Sequence, residues 1–335
     1  MKLSNIMLAI IILLASTTVY AQQITGAGST FGGPIYTKWS EAVKSQGIEF
    51  NYQNIGSGGG INQVINRTVD FGGTDMPLTA EKLADSKLLQ FPTVIGGVVV
   101  IINVPGIAIN QLKLTGEVLS KIYLGKIIKW DDAAIAALNP TIKLPKLTIA
   151  PVYRADGSGT TFVFTNYLSG QSSEWQTAVG SSTSVKWPTG NGSKGNDGIA
   201  ASVRQVIGAI GYVESAYASN NGLVTTQLRN KSGNFVSPTF STFAAAAANA
   251  DWVHAQNFAV NLNDQPGEES WPIESATFVL LPTNPKDITV SQLVRKFFDI
   301  SFATGNDTAK AMLYVPLPKS VQDAVRTAWK TQFSN

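Results

Sequence analysis

The chain has 335 residues, 44% of them hydrophobic and 14% charged, and its formal charge is +3 with no block of either sign. That balance excludes the basic stripe of a nucleic-acid binder and the polybasic face of a membrane-surface protein. The absence of cysteine excludes a disulfide framework, a thiolate nucleophile and a lipid-acceptor thiol.

Residues 1–21 read as a secretory targeting segment. Lys2 supplies a positive start, residues 6–15 form an apolar run too short to span a bilayer, and Val19-Tyr20-Ala21 fits a signal-peptidase site. Cleavage after Ala21 is expected, leaving a free exported chain that begins at Gln22. Roughly 310 residues remain, enough for two domains of ordinary size.

From Ile24 a strand runs through Gly26-Ala27-Gly28-Ser29-Thr30-Phe31 into a helix with Pro34 in its first turn, an apolar face of Tyr36, Trp39 and Val43, and a stop at Gly47. The Thr30 hydroxyl and the N–H groups near Phe31 then lie at a positive helix end. No third glycine follows Gly28 at the spacing of a dinucleotide fingerprint. A plain glycine turn is the competing reading. Residues 48–55 alternate as a strand, and Gly56-Ser57-Gly58-Gly59-Gly60 reads as a second glycine loop, opening a short helix over 61–66. Residues 69–78 read as a strand ending at Asp75, with Thr79 as cap of the next helix; Asp75 fits either a site or an ordinary turn.

Residues 91–103 read as a long buried strand broken by Gly96 and Gly97, as in a chain passing between domains. Thr115 caps one helix, and Asp131 or Asp132 another that ends at Asn139-Pro140. The β-branched run 147–152 leads into Tyr153-Arg154-Ala155-Asp156-Gly157-Ser158-Gly159-Thr160-Thr161, and helical spacing leads out. Gly157 and Gly159 permit a tight turn, Ser158 and Thr160 offer hydroxyls, and Arg154 adds a fork of donors suited to a tetrahedral oxyanion. This third helix-opening loop fits an anion site or an Asp-Gly turn. Gly195-Asn196-Asp197-Gly198 opens a helix over 199–206, residues 208–213 return as a strand, and Ala244 to Ala248 belong to a helix. Residues 271–281 form a second long apolar strand, and helices over 290–301 and 320–333 complete an α/β chain in which glycine loops sit at strand ends.

His254 is the only histidine and reads as a surface residue in a polar helix-like stretch. No phosphate-loop lysine, nucleophile elbow, Ser/His/Asp set or carboxylate–histidine metal cluster is present in the pattern. Binding without chemistry is the reading, with no cofactor and no metal.

The stretches 25–31, 56–59, 75–78, 91–97, 154–160 and 195–198, with 123–126 and 129–132 between them, resemble in sequence and order the periplasmic phosphate-binding proteins of ABC-type phosphate importers, the PstS family. The resemblance spans essentially the whole mature chain. It implies a two-lobed type II periplasmic binding fold with an interdomain cleft, lobe I being 22–97 with 274–335 and lobe II 98–273. It also implies a phosphate ligand, membrane permease subunits as partners, a monomer and a periplasmic location. Carried over by position, the ligand groups are Thr30, Phe31 through its backbone, Ser57, Asp75, Arg154, Ser158, Gly159 and Thr160, with Asp156 bracing Arg154. Gly58 and Thr74 stand where the family commonly has serine, and neither is among those groups. Asp75 is an acceptor only, so it favours a ligand that brings a proton: phosphate carries P–OH and sulfate carries none. The rival readings are a secreted phosphatase or phosphoryl-transfer enzyme, a receptor for another oxyanion such as sulfate, and a surface adhesion or signalling role.

Overall fold

The computed structural model describes residues 22–252 and 254–333, and the targeting segment 1–21 lies outside the described residues. The large sheet is built from β1 (Gln22–Gly28), β2 (Ile48–Asn54), β3 (Phe71–Thr74), β4 (Leu88–Ile102), β5 (Ala150–Arg154), β6 (Asn191–Ser193), β7 (Ala209–Glu214) and β8 (Glu274–Pro282). Their order is β2-β1-β3-β8-β4-β7-β5-β6. The outer strands pair in parallel on both sides, β1 with β2 and β3, and β5 with β6 and β7, whereas β8 and β4 run antiparallel through the middle.

β4 joins the two halves. Its residues up to Gly97 pair with β8, and from Val98 onward it pairs with β7. The two glycines sit at this change of partner because side chains occupy the space a Cβ would need: at Gly97 it would come 2.2 Å from Phe243, and at Gly96 3.0 Å from Phe31. The first half packs α1 (Gly33–Val43) and the helix Ile288–Thr304 through a cluster in which Phe50 stacks on Phe297 at 4.1 Å and Tyr36 meets Phe298 edge-on. The second half has its own aromatic cluster, with Phe164 stacked on Tyr212 at 4.2 Å and Tyr123 against both.

Most sequence-derived elements stand where the periodicity puts them, including the Thr79, Thr115 and Asp132 caps. The strand read over 69–78 is the shorter Phe71–Thr74, ending before Asp75, and three other boundaries differ in ways that bear on the site. Helix α2 runs Ser57–Ile65, so Gly58, Gly59 and Gly60 are its first turn rather than a loop. Glycine is required there by close approach, since a Cβ on Gly60 would lie 2.4 Å from the Gly28 Cα. The strand expected over 271–281 begins at Glu274, because Pro272 has no N–H to give to the ladder. The helix expected over 199–206 starts at Gly195, which brings Asn196 into its first turn. His254 is exposed and pairs with Asp251 at 2.7 Å, but no helix contains it.

Glu274 starts β8 opposite Gly97, and neither of its buried carboxyl oxygens has a hydrogen-bond partner among the described residues. Burial holds it well above the usual carboxylate range. For an acid raised in the folded state, the stability associated with the neutral form is complete below the unfolded value and is lost as pH rises through the folded one. Glu274→Met is therefore expected to stabilise the protein by about 1–3 kcal/mol at mildly alkaline pH, the cost of an unpaired buried polar group. Thermal melts from mildly acidic to mildly alkaline pH test this. A lower melting temperature for the variant throughout contradicts it.

Candidate functional site

The carboxyl ends of the parallel strands converge on one region. Ser29, Thr30 and Phe31 follow β1, Asp75 follows β3, and Arg154 ends β5 ahead of helix α3 (Gly159–Gln171). The N-termini of α2, α3 and α4 (Gly195–Gln205) open on the same region, adding free N–H groups and positive dipole ends. Contacts between the two halves close around it. Gly159 N–H donates to Ser57 Oγ at 3.0 Å, Gly58 N–H to Gly157 O at 2.9 Å, and Asn196 Nδ2 to Thr30 Oγ1 at 2.8 Å. These approaches require glycine, because a Cβ on Gly159 would stand 2.5 Å from both Asp75 Oδ2 and Ser57 Oγ.

The hydroxyls share a polarity. Ser57 Oγ accepts the N–H groups of Gly159 and Asp75, Ser158 Oγ accepts that of Thr161 as the cap of α3, Thr30 Oγ1 accepts from Asn196, and Thr160 Oγ1 is 3.5 Å from Asn196 Nδ2. Each oxygen is thus held by nitrogen donors and keeps its own proton to give, which in Ser57 also faces the Asp75 carboxyl. All four residues are buried. The Phe31 N–H already donates to Ser29 Oγ at 2.9 Å, so the structure gives that backbone donor an internal acceptor.

Arg154 has a side chain only 1% exposed and meets Asp156 through two bonds, Nε to Oδ1 at 2.8 Å and Nη2 to Oδ2 at 2.6 Å. Its Nη1 is buried with no partner among the described residues. Burial pushes the Asp156 carboxyl up, but the Arg154 pair and the Gly195 N–H outweigh it and hold it below the usual range. One edge of the guanidinium, Nε with Nη2, is therefore fixed by Asp156, leaving Nη1 as a cationic donor.

Asp75 is fully buried, accepting Ser29 Oγ–H at 2.6 Å on Oδ2 and Thr277 Oγ1–H at 2.8 Å on Oδ1. Burial raises its carboxyl to about 6, against the lowering effect of Ser29, Thr277, the Arg154 charge and Ser57. Each oxygen keeps a lone pair beyond the one its hydroxyl partner uses. One carboxylate acceptor thus stands among many donors.

The residues named from sequence, Thr30, Phe31, Ser57, Asp75, Arg154, Asp156, Ser158, Gly159 and Thr160, are all in or beside this cluster. Five others were not singled out: Ser29 and Thr277 on Asp75, Asn196 between Thr30 and Thr160, and two tyrosines behind the Thr30–Phe31 loop. Tyr217 Oη donates to Thr30 O and Tyr314 Oη is 2.7 Å from Phe31 O. Ser29 and Asn196 lie inside glycine motifs and were open to notice, whereas Thr277, Tyr217 and Tyr314 carry no local signature.

Residues 15–303 match the family described as PBP superfamily domain. The chain is 50% identical to the phosphate-binding protein PstS of Pasteurella multocida over 97% of this chain and 95% of that one. It is 47% identical to that of Haemophilus influenzae, over 96% and 97% respectively. These relatives are named as binding proteins, not as enzymes. Among solved structures, a high affinity periplasmic phosphate-binding protein, PfluDING, bound with phosphate aligns with a TM-score of 0.71 over 91% of this chain and 93% of that one, at 21% identity. The fold is thus that of a two-lobed type II periplasmic binding protein, and over its length the chain belongs to the PstS family of phosphate-binding proteins.

Proposed function

We propose that the protein is an exported receptor for inorganic phosphate that delivers it to an ABC-type importer. The observation that carries this reading is the composition of the cluster: oriented hydroxyls and an unshared guanidinium edge around a single buried carboxylate, Asp75. A dehydrated tetrahedral oxyanion is met by Thr30, Ser57, Ser158 and Thr160 through their hydroxyls and by Arg154 through its charge. The backbone groups of Phe31, Gly159 and Thr160 add to this, each amide already bonded within the protein sharing its proton. A P–OH group of mono- or dibasic phosphate donates to Asp75, and a fully ionised anion leaves it facing like charge. Asp156 serves by holding Arg154 flat.

Lobe I then comprises 22–97 with 274–335 and lobe II 98–273, a division favoured by the change of pairing partner along β4 at Gly97 and Val98. Closure of the lobes excludes water from the anion. The targeting pattern over 1–21 fits a receptor that works in the periplasm, and among the described residues no helix is long and apolar enough to cross a membrane. Phosphatase chemistry needs a base or nucleophile beside the anion, and the one carboxylate there is bonded to two hydroxyls.

Calorimetric titration of the chain beginning at Gln22 with inorganic phosphate is expected to give one site per chain, and p-nitrophenyl phosphate is expected to remain intact. No binding, or turnover that disappears in Arg154→Ala, overturns the reading.

A further inference from the structure

A second buried carboxyl stands close behind the anion site. Glu214 ends β7, opposite Val98 where β4 crosses between the two halves, and is fully buried. Its Oε1 accepts Ser215 Oγ–H at 2.8 Å and Ala216 N–H at 2.9 Å, while Oε2 lies 2.8 Å from Tyr314 Oη. Tyr314 Oη lies in turn 2.7 Å from Phe31 O. A phenol has one proton, and here it meets two oxygens. Were Glu214 ionised, both neighbours of Tyr314 would be acceptors and one contact would set lone pair against lone pair. With the proton on Oε2, Glu214 donates to Tyr314 and Tyr314 donates to Phe31, and every bond has a donor.

We propose that Glu214 is a positioning residue held as a neutral acid, whose proton runs through Tyr314 to fix the Phe31–Gly32 peptide beside the anion. Tyr217 fixes the preceding Thr30–Phe31 peptide by donating to Thr30 O. Because the N–H of a trans peptide points away from its C=O, the two tyrosines turn the N–H groups of Phe31 and Gly32 away from themselves, and that of Phe31 meets Ser29, the partner of Asp75.

The surroundings agree. The groups facing Glu214 are Ser215 and the Ala216 N–H on its own segment, Tyr314 from the C-terminal region, Tyr217, and Asp75 beyond them. No cation is among these. Burial pushes the Glu214 carboxyl up to about 8, against the hydrogen bonds that Ala216, Ser215 and Tyr314 offer its ionised form, and the Asp75 charge adds to the rise. An anion in the site raises it further. By linkage, binding therefore draws a proton onto Glu214 once the free protein has begun to lose it, and affinity falls as pH rises through that value.

This inference rests on the phosphate reading for its ligand, but one of its tests does not. Phosphate affinity of the wild type is expected to fall by up to about tenfold per pH unit above about pH 8, the limit for one proton taken up per anion bound, where free phosphate stays dibasic. Glu214→Gln has an N–H donor that cannot ionise in place of the O–H, so its slope over the same range is expected to vanish. Tyr314→Phe, which removes a hydrogen bond that favours the ionised form of Glu214, is expected to keep the slope but move its onset to higher pH, and gives a second readout if the first variant does not fold. Infrared spectra at neutral pH need no ligand: Glu214→Gln is expected to remove one band of a neutral carboxylic acid. An alkaline slope that persists in Glu214→Gln, an onset that does not move in Tyr314→Phe, or a spectrum from which no such band is lost, overturns the proposal. A wild type that binds no phosphate at any pH, yet loses the band on substitution, contradicts the ligand reading and leaves the neutral acid in place.

Discussion

Arg154→Ala is expected to weaken phosphate binding by about 2–5 kcal/mol, or roughly 30- to 5,000-fold, the range found when one partner of a buried charge pair is removed. The large effect has two sources in the geometry. The guanidinium is buried and held flat by the two bonds it donates to Asp156, so its remaining Nη1 is set in place before any anion arrives. Its removal also leaves Asp156 as an uncompensated carboxylate beside the site, adding repulsion to the lost attraction. Phosphate and sulfate are expected to suffer alike, because a guanidinium serves any oxyanion. Calorimetry with both anions checks this, and near wild-type affinity removes Arg154 from the site.

Asp75→Asn is expected to lower the phosphate-over-sulfate preference by at least about a hundredfold, a fraction of the 10⁴ or more that sites pairing one specific hydroxyl can achieve. The amide keeps the shape, loses the charge and gains an N–H donor, so it meets an unprotonated oxygen without repulsion. Phosphate loses a hydrogen bond to P–OH but is relieved of repulsion between the carboxylate and the dianion, and its affinity changes little. Sulfate gains. Because burial raises the Asp75 carboxyl to about 6, acidification through that value turns the wild-type residue into a donor. Sulfate binding by the wild type should therefore improve as pH falls through about 6, and sulfate binding by the variant should not. The dissociation constants at one salt concentration decide it, and an unchanged ratio leaves shape or another acceptor to account for specificity.

Much of this was legible in the sequence because its signals are local. Glycine loops with hydroxyls at strand ends announce helix N-termini, and Arg154 with Asp156 and Ser158 lie within one short run. Around Ser57 the glycines read as a loop but serve close packing: Gly58 to Gly60 are helical, with Gly28 and Gly157 against them, contacts that exist only once β1 and α3 are placed. Strand β8 was found but started too early, since apolarity continues through Trp271 and Ile273 while pairing needs the N–H that Pro272 lacks. The partners that set the chemistry were the least visible. Thr277 reaches Asp75 across 202 positions, and Tyr314 reaches Phe31 across 283. No spacing rule spans such separations: Thr277 meets Asp75 because β8 pairs with β3, Phe278 opposite Thr74, and Tyr314 is placed by the pairing of Val315 with Ile95 of β4. Glu214 ends a strand whose pattern is that of plain core, and its role depends on the one proton of a tyrosine a hundred residues away.

Parallel titration of the wild-type chain from Gln22 with phosphate and with sulfate, at one salt concentration and neutral pH, tests most directly the claim that a buried carboxylate among oriented donors selects a protonated oxyanion. The expected result is one phosphate site per chain, with a preference over sulfate on the order of 10⁴ or more. Equal affinity for the two anions would contradict it.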